Sequence, residues 1–163
     1  MSEVETNLAK LGLSVPEAPK ALAAYVPAVR VGNLVYTSGQ IATVAGELKY
    51  KGKVGQDLTL EQGYEAARVC ALNCLAVLKA EIGDLDKVER VVKVTGFVNS
   101  ADGFNAQPKV INGASELFVA AFGEKGKHAR AAVGSNELPL DTACEVEIVV
   151  AIKSWGKPGS AKS

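Results

Sequence analysis

The scarcest chemistry in this chain is imidazole: His128 is the single histidine among 163 residues. A site needing two imidazoles cannot be built within one copy. The three cysteines, Cys70, Cys74 and Cys144, form no thiolate cluster in sequence, so no metal centre is expected. Cys70 and Cys74 lie four apart in an apolar helical stretch and read as buried thiols. An odd set of free thiols points to a reducing, cytoplasmic home. Charge of one sign is missing as well. The 18 Lys and Arg balance the 18 Asp and Glu, against the basic excess of a protein that neutralises phosphates, so nucleic acid is not an expected partner. No apolar run reaches membrane-spanning length. The opening Ser2-Glu3-Val4-Glu5 is acidic, where a secretory leader would be basic and then apolar. Neither a G-x-G-x-x-G nor a P-loop occurs, and "GEKGK" at 123–127 is too short for one and lacks the following Ser or Thr.

What is present reads as an alternation of strands and helices. Val4, Leu8, Leu11 and Leu13 suggest a short helix that Gly12 and Pro16 end. Two β-rich runs flank Gly32-Asn33, a hairpin signal. Residues 45–55 form a polar excursion with at most one edge strand. Asp57 or Thr59 caps a long helix from about Leu60 to Ile82, closed by Gly83 and apolar on more than one side. "VERVVKVTGFVNS" (88–100) reads as a strand, Pro108 opens a second helix running to Gly123, and two further strands follow. The order predicts an α+β sandwich, a sheet with two helices packed on one face. Residues 1–153 are expected to form one domain with an N-terminal helical extension over about 1–20, and 154–163 a disordered tail.

The last two strands carry charges. In "HARAAVGSNELPLDTACEVEIVVAI" Arg130 precedes a run of small residues, while Glu145 and Glu147 alternate with apolar ones. The plain readings are an edge or snorkelling arginine and an outward-facing acidic row. Period 2, however, puts Ala132 and Gly134 on the face of Arg130, leaving room beside the guanidinium. A turn at "ELPLDTA" would set Glu145 near Arg130 on the neighbouring strand. A guanidinium takes a carboxylate in two parallel hydrogen bonds, and a nearby carboxylate can accept a proton from water. The two could equally pair with each other. In "YTSGQI" (36–41), Ser38-Gly39 offers a hydroxyl and a backbone open to close approach. A Ser/His/Asp triad is not supported, because His128 has no obvious third partner.

The segments "YVPAVRVGNLVYTSGQI" (25–41), "VVKVTGFVNSADGF" (91–104) and "ARAAV...LP...EVE" (129–147) resemble the RidA (YjgF) family of imine and enamine deaminases, also called the endoribonuclease L-PSP family, over roughly residues 20–152. The resemblance implies a chorismate-mutase-like fold, a homotrimer with sites in clefts between subunits, and a cofactor-free hydrolysis. In that reaction a 2-imino acid such as 2-iminopropanoate becomes a 2-keto acid and ammonia. It implies that Arg130 binds the substrate carboxylate and Glu145 orients water, with Glu147 the fallback if the turn shifts register. Tyr25, Ser38, Gly39 and Asn112 then line the site. Ala132 offers its backbone N–H where many members have a cysteine. His128 stands where the family usually has proline, and the N-terminal segment is longer, as in a divergent branch. A trimeric binder of small carboxylate metabolites without turnover is the alternative reading, and RNA cleavage a more distant one.

Overall fold

The computed structural model describes residues 1–20 and 23–154, so beyond Ser154 the expected tail lies outside the described residues. In chain order the elements are α1 (Glu3–Ala9), β1 (Ala28–Val31), β2 (Leu34–Thr37), β3 (Gln40–Ile41), β4 (Thr43–Val44), β5 (Glu47–Leu48), α2 (Leu60–Ile82), β6 (Val88–Asn99), α3 (Gln107–Phe122), β7 (Ala129–Ser135) and β8 (Cys144–Ile152). Local chemistry accounts for the boundaries. Gly32, with φ 60°, and Asn33 make the two-residue turn between β1 and β2, which pair Val31 to Leu34. Thr59 and Gln62 form a reciprocal capping box at the start of α2, and Gly83 (φ 84°) ends it. The first helix stops at Ala9, short of Leu13, and the polar excursion holds two short strands, β4 and β5, paired apart from the main sheet.

The main sheet runs β1-β2-β8-β6-β7, with β3 continuing on β8. Helices α2 and α3 cover one face, as the alternation of elements predicts. Val35, Val94, Val98, Val146, Ile148 and Val150 are buried there with Cys70, Cys74, Ile111 and Phe118. α2 packs against both the sheet and α3, which explains its broad apolar surface. Among the described residues no helix is long and apolar enough to cross a membrane.

One expectation fails. The strands carrying Arg130 and Glu145 are not neighbours, because β6 lies between them, antiparallel to β8 and parallel to β7. A parallel partner needs a long crossover, and α3 supplies it between β6 and β7. The stretch read as a tight turn instead carries the chain past the end of β6. It is tied down there by Asn99 N–H to the Ala143 carbonyl (2.9 Å), Ala143 N–H to Tyr50 (3.0 Å) and Gly52 N–H to Asp141 (2.8 Å).

The contact between the two long helices also sets how closely α3 lies beside α2 on the sheet. A methyl at Gly113 would lie 2.1 Å from the Tyr64 carbonyl oxygen of α2, which is backbone and cannot move alone. Gly113→Ala should therefore destabilise the fold by about 1–3 kcal/mol in urea unfolding. A loss under about 0.5 kcal/mol would mean that the helices do not approach as closely as described.

Candidate active site

Arg130 lies on the edge strand β7, beside Val94 of β6, which in turn pairs with Ile148 of β8. Residues paired across a sheet share a face. Val94 and Ile148 are buried under the helices, so Arg130 points to the helix layer. There its Nη1 donates to Asn112 Oδ1 (2.8 Å) and to Ser115 Oγ (3.1 Å), both on α3. Asn112 and Ser115 are three residues apart and so stand on one face of that helix. Ala132 shares the face of Arg130, opposite Gly96, whose missing side chain leaves room for Ile111. Further along, Gly134 approaches Gln107 and Ser100. The floor of small residues inferred from period 2 is present.

Glu145 belongs to the other face. It is opposite Phe97, which is opposite Val133, and Val133 is 45% exposed. Arg130 and Glu145 are therefore two strands apart and on opposite faces, roughly 10 Å across the sheet and roughly 10 Å along it. Neither forms an ion pair among the described residues. The possibility that they neutralise each other within one chain is excluded by strand order. Glu147 is exposed on the same open face, as the plain reading of an outward acidic row has it.

A second cluster surrounds Glu145. Pairing runs from Tyr36↔Val149 to Gln40↔Val146, so the β2–β3 side carries one extra residue, a bulge at Ser38-Gly39. Gly39 leaves the space that the Glu145 carboxylate occupies, since a methyl there would fall 2.2 Å from Glu145 Oε1. Ser38 ties the bulge to the preceding loop, its Oγ donating to the Val26 carbonyl (2.7 Å) and its N–H to Pro27 (2.8 Å). That loop carries Tyr25, which is 56% exposed. Burial, and then the Glu147 charge, push the Glu145 carboxyl above its ordinary value. A cleft of about 950 Å³ opens beside this cluster, lined by Tyr25, Gly39, Ile41 and Asn73 with the 16–20 segment. Neither Arg130 nor Glu145 lines it.

The expected site residues thus fall into two groups, Arg130 with Asn112 and Ala132, and Glu145 with Tyr25, Ser38 and Gly39. Two partners of the first group escaped the sequence reading. Ser115 Oγ lies 2.8 Å from His128 Nε2, and His128 Nδ1 lies 2.6 Å from the Gly126 carbonyl. The signal was the period: His128 is two residues before Arg130 and shares its face. All three thiols are buried, and desolvation raises Cys70 and Cys74 well above the ordinary thiol value, which makes them poor nucleophiles.

Residues 5–152 match the model of the YjgF/chorismate mutase-like family, whose description also carries an endoribonuclease label. Protein TCP17 of Trypanosoma cruzi is 42% identical over 93% of this chain and 95% of its own length. A 2-iminobutanoate/2-iminopropanoate deaminase of Dermatophagoides farinae is 32% identical over 86% of this chain and 95% of its own. A crystal structure from Agrobacterium tumefaciens, of a protein of unknown function, superposes with a TM-score of 0.88 at 43% identity over 93% of each chain. With this fold, these matches and the motifs around Arg130 and Ser38-Gly39, the chain belongs to the YjgF/chorismate mutase-like family.

Proposed function

We propose that the chain hydrolyses small 2-imino or enamine acids, such as 2-iminopropanoate, to 2-keto acids and ammonia, at sites completed between the subunits of a homotrimer. The observation that carries this reading is how the Arg130 guanidinium is used. Both Nη1 hydrogens go to neutral acceptors, and no carboxylate pairs with the group among the described residues. The Nε and Nη2 edge is left for a ligand, in the geometry that grips a carboxylate side-on. The relative from D. farinae, named for 2-imino acid deamination, supports the substrate class.

The strand order supports the assembly. Arg130 and Glu145 cannot reach one small substrate within a chain, so the two groups of residues act together only across a boundary. The open face of the sheet invites one. Val29, Val31, Tyr36 and Val133 on it are 45–63% exposed, a large apolar area for a surface to leave in water. Second and third copies of the chain are the occupants this reading assigns to it, with Arg130 of one subunit facing Tyr25, Ser38, Gly39 and Glu145 of the next.

The reaction needs little beyond this. A protonated imine carbon is already electrophilic. Arg130 fixes the carboxylate beside it, and Glu145 takes a proton as water adds to that carbon. The proton then passes to the nitrogen of the carbinolamine. The C–N bond breaks with its electron pair leaving on ammonia, and loss of the hydroxyl proton gives the ketone. Water is the only co-reactant consumed.

With 2-iminopropanoate generated by an amino acid oxidase, Arg130→Ala should lower kcat/KM on the order of a hundredfold. Glu145→Gln should lower kcat by a similar factor or more. Unchanged decay in either variant rejects the mechanism, and a wild type that binds keto acids without accelerating decay leaves a carboxylate binder. Because the Glu145 carboxyl is raised and works ionised, activity should fall with decreasing pH while still above the ordinary carboxylate range. Read in kcat at saturating substrate, that limb should vanish in Glu145→Gln, and its persistence there would assign it to another group. Gly39→Ala displaces the end of a flexible carboxylate rather than backbone, so it should cost kcat about tenfold with little loss of stability. Normal turnover in this variant would remove Glu145 from the reaction.

A further inference from the structure

The geometry points to Ser115 and His128 as positioning residues that hold Arg130 edge-on to its carboxylate ligand, a hold that requires the neutral Nδ1–H form of the imidazole. This rests on Arg130 being the carboxylate anchor. One chain of contacts fixes where each hydrogen sits. The Gly126 carbonyl can only accept, so His128 Nδ1, 2.6 Å away, carries a hydrogen. In the neutral ring Nε2 is then bare, and the Ser115 hydroxyl, 2.8 Å away, donates to it. That turns a lone pair of Ser115 Oγ to Arg130, whose Nη1 donates at 3.1 Å. Asn112 Oδ1 takes the other Nη1 hydrogen at 2.8 Å. Each donor has one acceptor and no member can rotate freely, so the orientation of the guanidinium is set from the Gly126 backbone outward.

Protonation of the imidazole breaks this order. Nε2 becomes a donor, the Ser115 hydrogen loses its acceptor, and an imidazolium faces a guanidinium across a single oxygen. The surroundings keep the ring neutral. Burial lowers the His128 pKa, the Gly126 contact opposes this, and the Arg130 charge adds to the lowering. On α3 the ring also meets the edge of Phe118, centroids 6.1 Å apart. Glu116, next to Ser115, is engaged by the Tyr64 hydroxyl. In the turn before β7, Lys127 pairs with Glu124 at 2.9 Å, and on β6 Arg90 donates to the Lys127 carbonyl. Lys93, opposite Ala129, lies on the other face of the sheet. Of these charges, only Arg130 is in the hydrogen-bonded chain.

The single histidine makes a direct test possible, because a long-range 1H–15N spectrum of the full-length protein contains one imidazole. The expected result is a protonated Nδ1 and a bare Nε2 at neutral pH, whereas the Nε2–H tautomer overturns the proposal. Pyruvate binding by ligand-observed NMR supplies the functional readout. Ser115→Ala should bind about tenfold more weakly and Ser115→Thr within about twofold of wild type. Wild-type binding should weaken as pH falls through the His128 transition, which lies below the ordinary imidazole range, and His128→Gln should lack that step. Unchanged affinity in Ser115→Ala, or tighter binding below the transition, overturns the proposal. Absence of saturable pyruvate binding in the wild type overturns this proposal, whereas the deaminase reading stands or falls on imine decay. A wild type that shows these binding effects without imine hydrolysis sinks the deaminase alone.

Discussion

The interposition of β6 between β7 and β8 governs the rest of the molecule. Pairing fixes which side chains share a face, and a sheet has only two. Once Val94 links Arg130 to the row of Ile148, the arginine belongs to the helix layer; once Phe97 links Glu145 to Val133, the glutamate belongs to the open side. No rotamer change undoes this. A one-residue slip would exchange the faces, but it would also expose Val94, Val98, Val146 and Ile148, which are all buried. The hydrophobic core therefore enforces the separation of the two charged groups.

That separation has an electrostatic consequence. An arginine held by an amide oxygen and a hydroxyl keeps its full charge, since neutral acceptors orient a guanidinium without neutralising it. The same residue beside Glu145 would spend its charge on an internal pair of little net value. Glu145 is treated in the complementary way. It is half-buried against a glycine and next to another acid, so its carboxyl is a better base than a solvated one. Each side of the proposed site is prepared for a partner that its own chain does not supply.

Much of the fold was legible in local sequence because local chemistry decides it. Gly32-Asn33 announces a hairpin, Thr59 and Gly83 bracket α2, and the valines of 88–98 announce the strand that comes to lie between β8 and β7. The small-residue face of Arg130 followed from period alone. Strand order did not, because "ELPLDTA" has the composition of a turn whether it joins adjacent strands or spans the end of a third. What separates the cases is a set of distant backbone bonds, Ala143 to Tyr50 and Asn99 to Ala143 among them. Ser115 and His128 were missed for a related reason. Their contact depends on where α3 lies beside α2, which Gly113 against Tyr64 sets, and a lone histidine beside an arginine carries no visible partner in sequence.

The claim that one site draws on two subunits is tested most directly by mixing. Arg130→Ala and Glu145→Gln proteins, each reduced to a residual level alone, would be combined one to one, dissociated and reassembled, and assayed on 2-iminopropanoate. In a ring of three, a boundary with both wild-type residues arises at random about one time in four, so the mixture should recover about a quarter of wild-type activity. Recovery only in the reassembled mixture would establish that the residues meet across the boundary. A reassembled, mixed trimer that stays inactive would contradict the account, because every working site would then need both residues from the same chain.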